Sequence, residues 1–541
     1  MATLDPITVE IIGSAFSSIT DEMGETLIRA SYSTNIKERR DCSTAIFDPQ
    51  GAVLCQAEHI PMHLGSFLGV VTHIVERYPE AELSPGDVFI GNDAYQGGGT
   101  HLPDIVLAQP VFVDGTLLSW VVNTAHHADF VDRGHAHIYQ EGLRIPPVRL
   151  YRRGELQRDI QDLILLNCQI PEERLSDLRA QMAANRLGVQ RMAALCERYG
   201  KEVVTAAGKA LQDYAERKMR VGIRAIPDGV YTYSDSFDLY GLDYDFPLSV
   251  QIAVKSDEMD IKFDAPPQVR AGINLVYTGL LASVYYAVKS LVDPDVLPNG
   301  GIARPLSVHA PKGSVLNCES PAAVNSRVNI CQRVVDLVYG ALAQALPHAV
   351  TAASNGSCTA AMFSGTREDG RVWAYLETIG GGMGARQTQD GLDGVHVHMT
   401  NTSNLPAESL EQEYPLTLLR YELVDNSGGP GRYRGGMGLR RVYRAEAECR
   451  LAITGSRIKH APWGLAGGMP GGKGEVRFGS GTQPFVTNTG ILRKGDVVEI
   501  MTPGSGGFGL PSERARPAIA EDLAAGCIDV RTAREAYGYI P

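Results

Sequence analysis

Two apolar runs, Ile105 to Val113 and Thr116 to Ala125, meet at Asp114-Gly115, and this junction constrains the fold more than any other local feature. An Asp-Gly dipeptide suits the positive-φ conformations of tight hairpin turns, so the two runs are predicted to fold back as antiparallel strands. Their far ends must then meet. At that open end stand Asp104 and the pair His126-His127, while His101 precedes the first strand on a loop that Pro103 keeps from being helical. Two imidazoles and a carboxylate gathered this way match the two-histidine, one-carboxylate set of catalytic Zn, Mn or non-heme Fe, with coordination positions left open. The surrounding segment is rich in imidazole: eight of the thirteen histidines lie between His59 and His137.

Register decides which paired histidine joins the set. A two-residue turn sets Asp104 opposite Ala125 and gives its face to His127, whereas a three-residue loop or a bulge sets His126 opposite it. The pattern leaves both open. The plainer alternative is a pair of strand-end histidines satisfied by backbone carbonyls.

A chain of 541 residues exceeds one ordinary core, and the expected class is α+β (mixed α/β) in several domains. Residues 1–225 are read as an N-terminal region with a mixed sheet and long helices. Its first helix starts at Asp5-Pro6 and places Ile12, Phe16, Ile19, Met23 and Leu27 at helical spacing, and a helical pair from Pro171 to Arg220 breaks at Gly200. Residues 226–350 read as a central α/β region with a meander from Tyr231 to Ala265 and helices over Gly272 to Leu291 and Ser326 to Leu346. Residues 351–541 are dense in glycine and are predicted to be strand and loop, ending in a polar helix near Ala518 to Ala536.

Several function classes are disfavoured. The formal charge of -12 and the lack of a basic stripe argue against a nucleic-acid partner. Nine cysteines, odd in number and without a C-x-x-C pair, argue for reduced thiols in a cytosol rather than disulfides or structural zinc. Acids at Asp5 and Glu10 stand where an export signal would be basic, and Leu275 to Val292 is too interrupted for a membrane span, so a cytoplasmic protein is expected. Gly467 to Lys473 fits G-x-x-x-x-G-K, but Gly474 replaces the required hydroxyl and Glu475 to Phe478 reads as a strand where a helix must begin. ATP binding through a P-loop is therefore not expected.

Longer motifs carry a resemblance. Asn35 to Ser43, His59 to Ser66, Gly91 to Asp104, Glu141 to Pro147, Asn401 to Asn404 with Glu408 and Glu411, Arg434 to Gly438 and Pro503 to Gly509 all resemble the hydantoinase B and 5-oxoprolinase family, over about residues 5–540. The resemblance implies a B-type subunit of an ATP-dependent cyclic-amide hydrolase. An A-type partner would bind ATP and Mg and phosphorylate the amide oxygen in an A2B2 hetero-oligomer, and this chain would complete the hydrolysis. The related acetone and acetophenone carboxylases imply an alternative, an ATP-dependent ketone carboxylase subunit, and carry the metal ligands onto His101, Asp104 and His126. A stand-alone oxygenase and a non-catalytic scaffold are further rivals. One departure from the family pattern lies at Asp129 to His135.

Remaining candidates carry two readings each. His59 and His63 flank Pro61 and either face substrate or hold a loop. Asp41 is a buried acid near the site or a cap. Asp21 and Glu22 sit off the apolar stripe of the first helix, as a solvated face would, although the resemblance makes one of them a candidate general base beside Asp41. His127, if His126 takes the metal, is left to face substrate or to support the site. His396 and His398, two apart on an expected strand, read as structural.

Overall fold

The computed structural model describes residues 4–57, 59–96, 99–127, 135–479, 483–484 and 488–540, and these form two compact units. The first unit comprises the chain through Gly229 with Ala253–Ile261 and Pro267–Arg327, and the second comprises Val230–Ile252, Lys262–Pro266 and the chain from Val328.

The first unit opens as the Asp-Pro pair predicts. The Asp5 carboxylate accepts from the Thr8 amide at 3.3 Å, and helix α1 (Pro6–Ala30) buries Ile12, Phe16, Ile19, Met23 and Leu27. After a short α2 (Thr34–Lys37) come β1 (Cys42–Phe47), β2 (Val53–Gln56), α3 (His63–Phe67), α4 (Val70–Arg77) and β3 (Val88–Gly91). The expected hairpin follows as β4 (Asp104–Val113) and β5 (Thr116–His126), then β6 (Val148–Arg152), β7 (Glu155–Leu156), α5 (Arg158–Leu166) and the long pair α6 (Pro171–Tyr199) and α7 (Lys201–Arg224). The pair breaks at Gly200, whose φ of +84° suits a residue without a Cβ.

Seven strands form one sheet in the order β2-β1-β5-β4-β3-β6-β7. Period-two alternation gives it two apolar faces. Ile46, Val121 and Ala125 pack with α1 and α6, while Ala45, Phe47, Trp120 and Val122 pack with α3 and α4. The segment Leu275 to Val292 becomes a buried helix over Tyr277–Val292, and no described helix is long and apolar enough to cross a membrane.

The hairpin resolves the register. Asp114 and Gly115 both have positive φ, at +49° and +73°, as a two-residue turn requires, and Val113 pairs with Thr116. A bulge then intervenes: Val111 pairs with Ser119 but Phe112 with Leu117, which leaves Leu118 over. Leu117 accordingly joins the cluster containing Trp120, Leu118 joins that containing Val121, and beyond the bulge Asp104 lies opposite His126.

The second unit holds the glycine-rich region. Strands Val372–Ile379, Thr359–Thr366, Cys449–Thr454 and Thr489–Leu492 form one sheet in that spatial order. Strands Leu416–Leu423, Leu439–Ala445, Val497–Met501, Glu475–Phe478 and Gln483–Pro484 form another, and Phe363, Tyr375, Tyr443 and Ile500 share one core. Glycine is demanded there by close backbone approach: a Cβ on Gly504 would sit 1.8 Å from the Ser427 carbonyl oxygen, and one on Gly436 would sit 2.0 Å from that of Leu392. Glu475–Phe478, which follows the G-x-x-x-x-G-K match, is a strand as expected.

Three expectations are corrected in this unit. The tail is two helices, Arg516–Ala524 and Val530–Glu535, because Gly526 adopts a φ of +75° between them. A short helix, Ala407–Glu413, interrupts the strand-and-loop region. His396 and His398 lie in a loop rather than a strand: His396 Nδ1 is 3.2 Å from Thr400 Oγ1, and His398 Nε2 is 3.2 Å from Asp336.

Candidate metal centre

Alternation along adjacent strands sets Asp104 and His126 on the face that α3 covers. Asp104 begins β4, His126 ends β5, and His63 begins α3. Asp41 precedes β1, and its carbonyl accepts from the His126 amide at 3.0 Å. His101 arrives on the loop before β4. Ligating atoms of His101, Asp104 and His126 all lie within 4.8 Å of one another, and the two imidazole rings are 4.9 Å apart.

The hydrogen bonds say which atoms are available. His101 Nδ1 lies 3.1 Å from the Asn325 carbonyl oxygen, which can only accept, so that nitrogen carries the proton and Nε2 presents its lone pair. Nε2 stands 2.9 Å from Asp104 Oδ1, and both atoms are buried without a hydrogen-bond partner. Burial lowers the pKa of His101, and Arg327 lowers it further, so the ring is neutral. Burial would raise the Asp104 pKa, but Arg327, whose guanidinium meets Oδ2, holds it well below the usual carboxylate range. A lone pair and a carboxylate oxygen thus face each other across a gap that a cation would bridge. Burial, with Arg327 and Arg39 adding repulsion, also holds His126 well below the ordinary imidazole value, the neutral form that ligates metals. The residues present therefore fit a divalent ion with a nitrogen, nitrogen and oxygen donor set.

The second Asp104 oxygen is occupied. Oδ2 accepts from Arg327 Nη2 at 2.9 Å and from Ser66 Oγ at 3.1 Å, while Arg327 Nε donates to Thr100 Oγ1 at 3.0 Å. Asn35 Nδ2 lies 2.6 Å from the His126 carbonyl oxygen and 2.9 Å from its Nδ1, which pins that ring.

Asp41 and His63 stand beside this set. His63 Nε2 is 3.6 Å from both Asp41 Oδ1 and Asp104 Oδ1, and its Nδ1 is 2.9 Å from Ser43 Oγ. Burial raises the Asp41 pKa against the pull of His63 and Arg39. His59 is half-buried with its pKa lowered to about 4, by burial and then by His63, and its ring fills the space a Cβ on Gly24 would need.

The structure draws other candidates away. Glu22 pairs with Arg191 at 2.8 Å with its side chain 44% exposed, and Asp21 is exposed on α1. His127 turns to the α6 side, fully buried, with Nε2 3.1 Å from Gln181 Oε1. The Asp129 to His135 departure lies outside the described residues up to 134. Arg327 and Asn325 were not singled out from the sequence. They lie more than 220 residues downstream of the ligands they touch, and no local pattern marks them.

Comparison with known proteins gives the chain a family and a fold. The family model described as hydantoinase B/oxoprolinase matches residues 5–511. A protein of Methanocaldococcus jannaschii is 40% identical over 99% of this chain and 96% of its own length. Caprolactamase subunit beta of Pseudomonas jessenii is 30% identical over 100% of this chain and 97% of its own, and the crystal structure of ATP-dependent caprolactamase from that organism superposes with a TM-score of 0.90 at 28% identity over 100% of this chain and 97% of that one. 5-Oxoprolinase 1 of Arabidopsis thaliana is 33% identical over 93% of this chain but only 42% of its own length. Nucleotide-free acetone carboxylase, at 18% identity, shares the fold with a TM-score of 0.91 over 99% of this chain and 80% of that one.

Proposed function

The chain belongs to the hydantoinase B/oxoprolinase family, and we propose that it is the metal-bearing B-type subunit of an ATP-dependent cyclic-amide hydrolase. The observation that carries this reading is the 2.9 Å approach of His101 Nε2 to Asp104 Oδ1, two buried acceptors with His126 beside them. An unstrained amide is a poor electrophile, so an ATP-binding A-type partner would first phosphorylate its oxygen. A partner in trans is supported by the caprolactamase relative, which is named as a beta subunit. It is supported also by the 5-oxoprolinase relative, whose longer chain has room for such a partner within one polypeptide.

A divalent ion at this site, Zn, Mn or Fe, would supply Lewis-acid polarisation and make water more acidic. The residues of this chain do the rest. His101 and His126 stay neutral, His101 presenting its Nε2 lone pair, and Asp104 stays anionic under Arg327. Asp41, whose pKa burial raises, can take a proton from an attacking water, and His63 Nε2, 3.6 Å from its Oδ1, helps hold that carboxylate at the site.

The test is to purify the chain with its A-type partner and measure ATP hydrolysis with hydantoin, 5-oxoproline and caprolactam, and with acetophenone plus bicarbonate. Stimulation by one cyclic amide, abolished by His101→Ala, is expected. Turnover only with ketone and bicarbonate would assign the chain to the carboxylases instead, and full activity of His101→Ala would make it a scaffold.

A further inference from the structure

We propose that Glu141 is a positioning residue of the metal centre, acting through the backbone strap Val324 to Arg327. This inference rests on the metal reading above and assigns the site a support that comes from two distant parts of the chain.

Glu141 has no exposed surface, yet it lies in a loop segment rather than in a helix or strand. Its carboxylate accepts from the Val324 amide at 3.0 Å with each oxygen and from the Asn325 amide at 2.8 Å, so one buried charge gathers two consecutive N–H groups. Charge-assisted bonds of this kind are about twice as strong as neutral ones, and loss of the acceptor would leave both donors buried and unpaired.

The strap so held delivers two groups to the site. The Asn325 carbonyl takes the His101 Nδ1 proton at 3.1 Å, which decides the tautomer that presents Nε2. Arg327 binds Asp104 Oδ2 at 2.9 Å, which leaves Oδ1 as the oxygen facing His101 and makes a one-oxygen carboxylate ligand the favoured arrangement. The strap has other ties, among them the Ser326 amide, which donates to the Gly272 carbonyl at 2.6 Å, and just before it Asn274 Nδ2 donates to the Ala323 carbonyl at 2.8 Å. Loss of Glu141 is therefore expected to loosen the strap without unfolding it. The residues that choose the His101 tautomer and the Asp104 ligand oxygen thus answer to a carboxylate that touches neither ligand.

The experiment titrates the purified chain, without partner or substrate, with Mn²⁺ and with Co²⁺, reading affinity by calorimetry and coordination by the Co²⁺ visible spectrum. Glu141→Ala should bind 10- to 100-fold more weakly with an altered Co²⁺ band. Glu141→Gln, which keeps one acceptor oxygen, should fall between it and the wild type. Melting curves of the metal-free proteins identify temperatures at which each is folded. A folded Glu141→Ala, or a folded Glu141→Gln where the alanine variant fails to fold, with wild-type affinity and spectrum would overturn the proposal and leave the metal reading intact. A wild type that takes up neither ion would overturn both.

Discussion

Replacing His127 separates the two neighbouring histidines most sharply, because the bulge in β5 assigns them opposite faces. In the folded chain His127 Nε2 meets Gln181 Oε1 at 3.1 Å, and Gln181 is itself tied through Nε2 to the Ile105 carbonyl and to Asn123. His127→Ala would strand the Gln181 oxygen and open a space the size of an imidazole, a cost of about 2 to 4 kcal/mol at neutral pH. Burial, with Arg174 adding repulsion, lowers the His127 pKa to about 4. The unfolded chain therefore binds a proton between about pH 6.5 and 4 that the folded chain refuses. The His127 contribution is complete above pH 6.5 and is lost as the pH falls toward 4, by about 3 kcal/mol in all. Calorimetric unfolding of the metal-free proteins between pH 7.5 and 4.5 should show the variant well below the wild type at neutral pH and the gap closing in acid, with metal uptake retained. Parallel acid slopes, or an undiminished melting temperature with turnover lost at full metal content, would refute the assignment of His127 to the α6 face.

Three further outcomes are expected. Wild-type protein should hold one divalent ion per chain by elemental analysis, and His101→Ala, Asp104→Asn or His126→Ala should each empty most of the site; unchanged metal in all three would refute the ligand set. The isolated chain should not bind ATP in equilibrium dialysis, since the strand Glu475–Phe478 stands where a phosphate-binding helix would start, and tight binding lost in Lys473→Ala would show the reverse. Gly504→Ala, whose added methyl would lie 1.8 Å from the Ser427 carbonyl, should destabilise the second unit by roughly 3 kcal/mol or more or prevent its folding, and a variant with wild-type melting would contradict that packing.

The local elements were legible because local chemistry determines them. Asp5-Pro6 starts a helix by capping and a preset φ, Gly200 divides two helices, and Asp114-Gly115 turns a hairpin, each through a preference carried by one or two residues. The histidine, aspartate and histidine set was likewise readable as a gathering at one end of a hairpin. Its final member was not, because the side-chain period of two makes a one-residue bulge at Leu118 equivalent to exchanging His126 for His127, and the sequence carries no mark of that bulge. Only the tertiary structure set Asp41 and His63 beside the site while leaving Asp21 and Glu22 on the surface, since an acid's surroundings depend on which elements cover it. It alone brought in Arg327, Asn325 and Glu141, whose contacts span loops of roughly 180 residues or more and so follow from the packing of the whole unit rather than from any neighbouring residue.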